Sequence, residues 1–172
     1  MASWRDWYAA ALPLVAAVQR EPADAYVVAC VSDPGIEAVQ EVTDRPVIGC
    51  FRAAVLGALA RTDRFGVIAF VEASKSRQRR VLLSMGAERQ LTGSVALNLA
   101  MADLLEPETS GAALLAAGRL LVQGGAGAVV LGCTGMAAHH ASLQAALGVP
   151  KIEPCAAAAT QALLAIIPPT AR

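Results

Sequence analysis

The order of apolar and polar positions along the chain predicts short buried strands alternating with helices. Residues 4–20 place apolar side chains at helical spacing and stop at Glu21-Pro22, which predicts one amphipathic helix. An apolar run at 26–29 ends at Cys30 and is followed by Val31-Ser-Asp-Pro-Gly35. This reads as a strand running into a turn, with Asp33 expected to cap a helix whose first position is Pro34. A short helix over 36–43, a strand over 46–49 and an Ala-rich helix over 51–61 follow. Residues 64–71 read as a buried strand and 72–85 as a helix closed by Gly86. Residues 90–95 suit a short strand, 96–105 a helix or irregular segment, and 108–122 a strong helix ended by Gln123-Gly-Gly125. The stretch Ala128-Val-Val-Leu-Gly-Cys133-Thr-Gly-Met136 is an apolar run that stops at a cysteine followed by small residues. That pattern suits a strand buried on both faces. A helical pattern, the segment Pro150-Lys-Ile-Glu-Pro-Cys155 and a helix over 156–167 that stops at Pro168-Pro169 complete the chain.

The two cysteine-terminated strands belong to a repeated pattern. Cys30 and Cys133 are 103 residues apart, Pro46 and Pro150 are 104 apart, and Cys50 and Cys155 are 105 apart. So constant an offset suggests a duplicated strand–thiol–helix–strand–helix unit. The fold class is therefore α/β, with two pseudo-symmetric lobes, each a mostly parallel sheet flanked by helices. Residues 1–61 form lobe one, helix 156–172 packs back on it, and residues 62–155 form lobe two. Two such units facing each other put two thiols across one cleft.

Composition narrows the partners. The 172 residues fit one domain or two small lobes sharing a core. Fourteen basic and fourteen acidic side chains cancel, so nothing steers the chain to nucleic acid or to an anionic membrane. Lys75-Ser-Arg-Gln-Arg-Arg80 is the basic cluster, and without interleaved aromatics it reads as a solvated helix face. The apolar run at 8–18 is too short to span a bilayer, and the start has no signal-peptide pattern. The expected compartment is the cytoplasm, where the four cysteines stay reduced. No C-x-x-C pair suggests zinc, and His139 and His140 are expected on a solvated helix face.

Cys30 and Cys133 carry the candidate chemistry. A thiol at the carboxyl end of a parallel strand stands where open α/β sheets bind ligands. A helix opening just beyond it favours the thiolate. A thiolate on one face of a carbon acid and a thiol on the other can remove and return one proton, inverting the centre. Ser32 and Asp33 after Cys30, and Thr134 and Gly135 after Cys133, offer small side chains, hydroxyls and amides to hold substrate oxygens. Cys50 and Cys155 lack this turn chemistry and read as structural.

The segments Val28-Ala-Cys30-Val-Ser-Asp-Pro-Gly35 and Val130-Leu-Gly-Cys133-Thr-Gly-Met136, with Gly148-Val-Pro150 and Pro154 before an Ala-rich helix, resemble the aspartate/glutamate/hydantoin racemase superfamily. The likeness is strongest to its hydantoin and allantoin racemase branch. It implies that Cys30 and Cys133 are the catalytic acid/bases in a cleft between the lobes. It also implies cofactor-independent racemisation of a hydantoin, allantoin or related amino-acid derivative, with a small-molecule substrate and a homo-oligomer. The family pattern starts with a further strand carrying an Asn-Pro-Asn-like loop that lines the pocket, and this sequence starts after it. Two alternatives follow: an arylmalonate-type decarboxylase of the same fold, against which Cys30 argues because that branch keeps the second cysteine alone, and a truncated, non-catalytic member acting by association.

Overall fold

The computed structural model describes residues 3–167. The expected stop at Pro168-Pro169, the extreme N-terminus and the side chain of His140 lie outside the described residues. Two helices open the chain, α1 (Trp4–Ala9) and α2 (Ala11–Arg20), where a single one was expected. Pro13 is the reason: it has no N–H to give the Ala9 carbonyl, so the helix is interrupted between α1 and α2. Then come β1 (Tyr26–Val28), α3 (Ile36–Gln40), β2 (Val47–Gly49) and α4 (Cys50–Leu59). The second half holds β3 (Phe65–Ala69), α5 (Glu72–Ser84), β4 (Leu91–Ala96), α6 (Met101–Leu105) and α7 (Pro107–Gln123). It closes with β5 (Ala128–Gly132), a 3₁₀ turn over Thr134–His139, α8 (His140–Leu147), β6 (Lys151–Ile152) and α9 (Pro154–Ile166).

The fold is α/β, with parallel sheets flanked by helices. One sheet pairs β1 with β2, and the other has the order β4-β3-β5-β6, all parallel. Every residue of β3 and β5 is buried, which explains their near-continuous apolar sequences. Phe65, Val67, Ala128 and Val130 point to one face, where they join Phe51, Ala54 and Val55 of α4, Leu82 of α5 and Ala158 of α9. Ile68, Val129 and Leu131 point to the other, against Leu114, Ala117 and Leu121 of α7 and Leu143 of α8. Helix α9 packs along α4 and touches β1 and β2. Among the described residues no helix is long and apolar enough to cross a membrane.

Candidate active site

Cys30 and Cys133 leave β1 and β5 at their carboxyl ends and open onto one cleft of 170 Å³. Its walls also include Val31, Ser32, Phe70, Ser74, Arg77, Met101 and Thr134. A larger, more open depression of 590 Å³ lies around Arg61, Pro150 and Lys151, at the amino ends of the sheet strands, with no thiol in its lining. All four cysteines are free thiols.

The loop after β1 is strained and braced from outside. The amides of Ser32 and Asp33 both donate to the Cys30 carbonyl, at 3.0 and 2.9 Å. This turn holds Ser32 at φ 147° and Asp33 at φ 49°, a region that non-glycine residues seldom occupy. Such strain costs about 1–3 kcal/mol per residue and persists where the surroundings enforce it. Here Trp7 supplies one brace: its indole Nε1 donates to the Ser32 Oγ at 3.1 Å and lies 3.3 Å from the Ser32 carbonyl oxygen. The second brace is the carboxylate of Asp33, which accepts from the amides of Phe51 at 2.8 Å and Arg52 at 2.9 Å.

Asp33 is thus a helix cap, but of α4. Helix α3 begins at Ile36 with Gly35 in the capping position and no side-chain cap, so the expected local cap does not form. The positive φ of Asp33 turns its side chain away from α3 and toward the exposed amides at the start of α4. Gly49 makes room for it, since a Cβ there would collide with the Asp33 carboxyl group. Both oxygens accept amides of α4, and Asp33 is not among the residues lining the cleft. Burial raises its pKa to about 6 against the pull of the Phe51 and Arg52 amides.

The loop after β5 is built differently. Cys133 follows the central strand of the larger sheet and passes directly into the 3₁₀ turn, where the Met136 amide donates to its carbonyl at 3.1 Å. The Gly135 amide donates to the Cys133 sulfur, which favours the thiolate. Gly135 therefore stands behind the thiol while Thr134 lines the cleft. Gly132 also requires its lack of a side chain: a Cβ would strike the Ile68 carbonyl and crowd Gln78, whose amide donates to the Gly132 carbonyl at 3.1 Å.

Burial lifts both thiols above their ordinary value of 9.0. The Cys133 sulfur raises Cys30 further, Asp33 adds to this, and Arg77 opposes it. A negative charge on the Cys133 sulfur thus disfavours a second one on Cys30 in the same cleft. Cys50, fully buried at the start of α4, and Cys155, beside Glu153, are both raised as well, and neither lines this cleft.

Three polar side chains contradict the expected solvated faces. Arg77 is only 3% exposed and lines the cleft, while its neighbour Gln78 is tied to Gly132. The signal was present in the spacing: Ser74, Arg77 and Gln78 share a helical stripe with Val81 and Leu82, all five buried. His139 is buried too, with its Nε2 2.9 Å from the Ser110 Oγ. The 3₁₀ turn, tighter than an α-helix, rotates it inward to tie the Cys133 loop to α7. Among the described residues no cluster of His, Cys, Asp or Glu is placed to hold a metal ion.

The chain is similar to known proteins in sequence and in fold. Hydantoin racemase of Paenarthrobacter aurescens is 35% identical over 144 residues, 83% of this chain and 61% of that protein. Hydantoin racemase of Rhizobium meliloti is 39% identical over 141 residues, 81% of this chain and 58% of that one. The chain therefore spans about three-fifths of the length of these relatives. The allantoin racemase structure from Klebsiella pneumoniae superposes with a TM-score of 0.86 at 28% identity, covering 95% of this chain and 69% of that one. Residues 1–162 match the family model described as Asp/Glu/Hydantoin racemase. The chain belongs to the Asp/Glu/hydantoin racemase family.

Proposed function

We propose that this chain racemises a hydantoin, allantoin or related amino-acid derivative, with Cys30 and Cys133 as the paired proton carriers. The observation that carries the reading is that both thiols open onto one small cleft at the carboxyl ends of β1 and β5. A thiolate on one side takes the proton from the carbon next to a carbonyl, and the electron pair moves onto the carbonyl oxygen. The thiol on the other side then gives its proton to the opposite face, leaving the inverted product and the sulfurs with exchanged protonation states. The Gly135 amide, which favours the thiolate at Cys133 against the effect of burial, suits Cys133 to the first role and leaves Cys30 the second. The hydroxyls of Ser32 and Thr134, both in the cleft wall, orient the substrate's polar edges.

The test is polarimetry and NMR on an enantiopure 5-substituted hydantoin in D₂O. Loss of rotation with deuterium entering the α-position is expected. Inertness toward hydantoin and allantoin alike, or carbon dioxide release from a malonate without racemisation, would overturn the reading.

A further inference from the structure

We propose that Arg77 is the electrophilic group of this cleft, its guanidinium taking the carbonyl oxygen that gains negative charge as the neighbouring proton leaves. The inference rests on the racemase reading above and adds the group that selects the substrate: a carbon acid whose activating carbonyl faces α5.

Three observations carry it. Among the described residues lining the cleft, Arg77 is the one Lys or Arg, and it shares the cleft with both thiols. It is buried to 3% exposure, so its guanidinium faces the cleft out of bulk water, where its charge acts most strongly on an oxygen that turns negative. Its position is also fixed relative to the thiols: the adjacent Gln78 holds the Gly132 carbonyl at 3.1 Å, one residue before Cys133. Its charge reaches Cys30 in the same cleft and Asp6 on α1.

The chemistry balances without oxidation or reduction. As the thiolate sulfur bonds the α-proton, the C–H pair forms a π bond to the carbonyl carbon, and the carbonyl π pair moves to oxygen. An N–H of Arg77 donates to that oxygen. Protonation of the opposite face by the second thiol returns the pairs to their places. A neutral cyclic amide gains this charge only as the proton leaves, in the transition state and the enolate, so the guanidinium acts mainly on turnover.

The experiment compares the full chain with Arg77→Met, Arg77→Lys and, as control, Arg79→Gln, whose side chain is exposed and paired with Glu88. Racemisation of a 5-substituted hydantoin is measured beside the pH profile of Cys30 alkylation by iodoacetamide, resolved by peptide mass spectrometry. Arg77→Met is expected to lose about 10²–10³-fold in kcat/KM, and Arg79→Gln to stay within about twofold of the parent. If Arg77→Met does not melt cooperatively, Arg77→Lys decides, because it keeps charge and bulk but not the planar fork, and a loss of about tenfold is expected. Parental activity in the folded variants overturns the inference and leaves the racemase reading intact. Full recovery at the pH where Cys30 alkylates as fast as in the parent also overturns it, since the guanidinium would then serve the thiol alone. An inert parent overturns the racemase reading, and this inference with it.

Discussion

The Cys30 loop and the Cys133 loop occupy equivalent places in a repeated unit, yet they are held by different physics. Cys133 follows a strand paired on both sides, by β3 and by β6, and its sulfur receives a backbone amide from the next turn. Cys30 follows a three-residue strand in a two-stranded sheet, in a loop with two residues at positive φ. Its geometry is imposed from outside, by Trp7 of α1 and by the amides of α4 that Asp33 engages. Repetition of sequence thus delivers the same atom to the same cleft, while its rigidity comes from the sheet on one side and from side-chain braces on the other.

The largest effect tests whether the two sulfurs work as a pair. Cys30→Ser and Cys133→Ser are each expected to lower racemisation by about 10²–10⁴-fold, since a serine hydroxyl is a far weaker acid than a thiol. The pairing has a second signature. The Cys133 charge raises the Cys30 pKa, so Cys133→Ser should move the Cys30 alkylation profile to lower pH. An unmoved profile together with retained racemisation in either variant would show two independent thiols.

Next in size are the braces of the two repeat halves. Asp33 caps α4 across the fold, and Glu153 caps α9 locally, accepting from Cys155 at 2.9 Å and from Ala156 at 2.6 Å. Asp33→Ala removes a helix cap and a loop clamp together and should cost about 2 kcal/mol in urea denaturation. Glu153→Ala removes a cap alone and should cost about 1 kcal/mol. Asp33 also leaves a pH signature. Its folded pKa of about 6 lies above its ordinary 3.8, so its contribution to stability is fully present below 3.8 and is lost as pH rises through 6. The parent should therefore gain stability relative to Asp33→Asn as pH falls from 7 to 5, in paired denaturation curves. A constant difference across that range would mean that the Asp33 carboxyl titrates as an ordinary one.

What was legible in the sequence was what depends on local patterning. The buried runs of β3 and β5, the helix over 107–123 and the placing of both cysteines at strand ends follow from apolar run length and turn residues. What was hidden depends on partners far away in the chain. Asp33 stands beside the start of α3, so a local rule assigns it there, but its hydrogen-bond partners lie 18 and 19 residues on. Arg77 sits in a run of charges whose composition signals solvent, and its burial follows from Val81 and Leu82 on the same stripe facing the sheet. Trp7 gave no signal at all, because nothing in residues 4–20 shows that α1 reaches a loop 25 residues later.

Trp7 also provides the smallest and most selective test of the contrast between the loops. Its ring packs edge-on to Tyr8 at 5.0 Å and to Trp4 at 5.6 Å, with the Arg80 guanidinium 5.8 Å from its centroid. Trp7→Phe keeps an aromatic ring in that cluster and deletes the donor to Ser32. The expected loss is about 1 kcal/mol of stability. The distinctive consequence is local: Ser32, held at φ 147°, loses its outside support, so the Cys30 loop opens more often and Cys30 alkylates faster. Cys133, fixed by a strand paired on both edges, should alkylate at its parental rate. Equal acceleration at both thiols would mean that α1 steadies the cleft as a whole, and the division between a sheet-held and a brace-held sulfur would have to be abandoned.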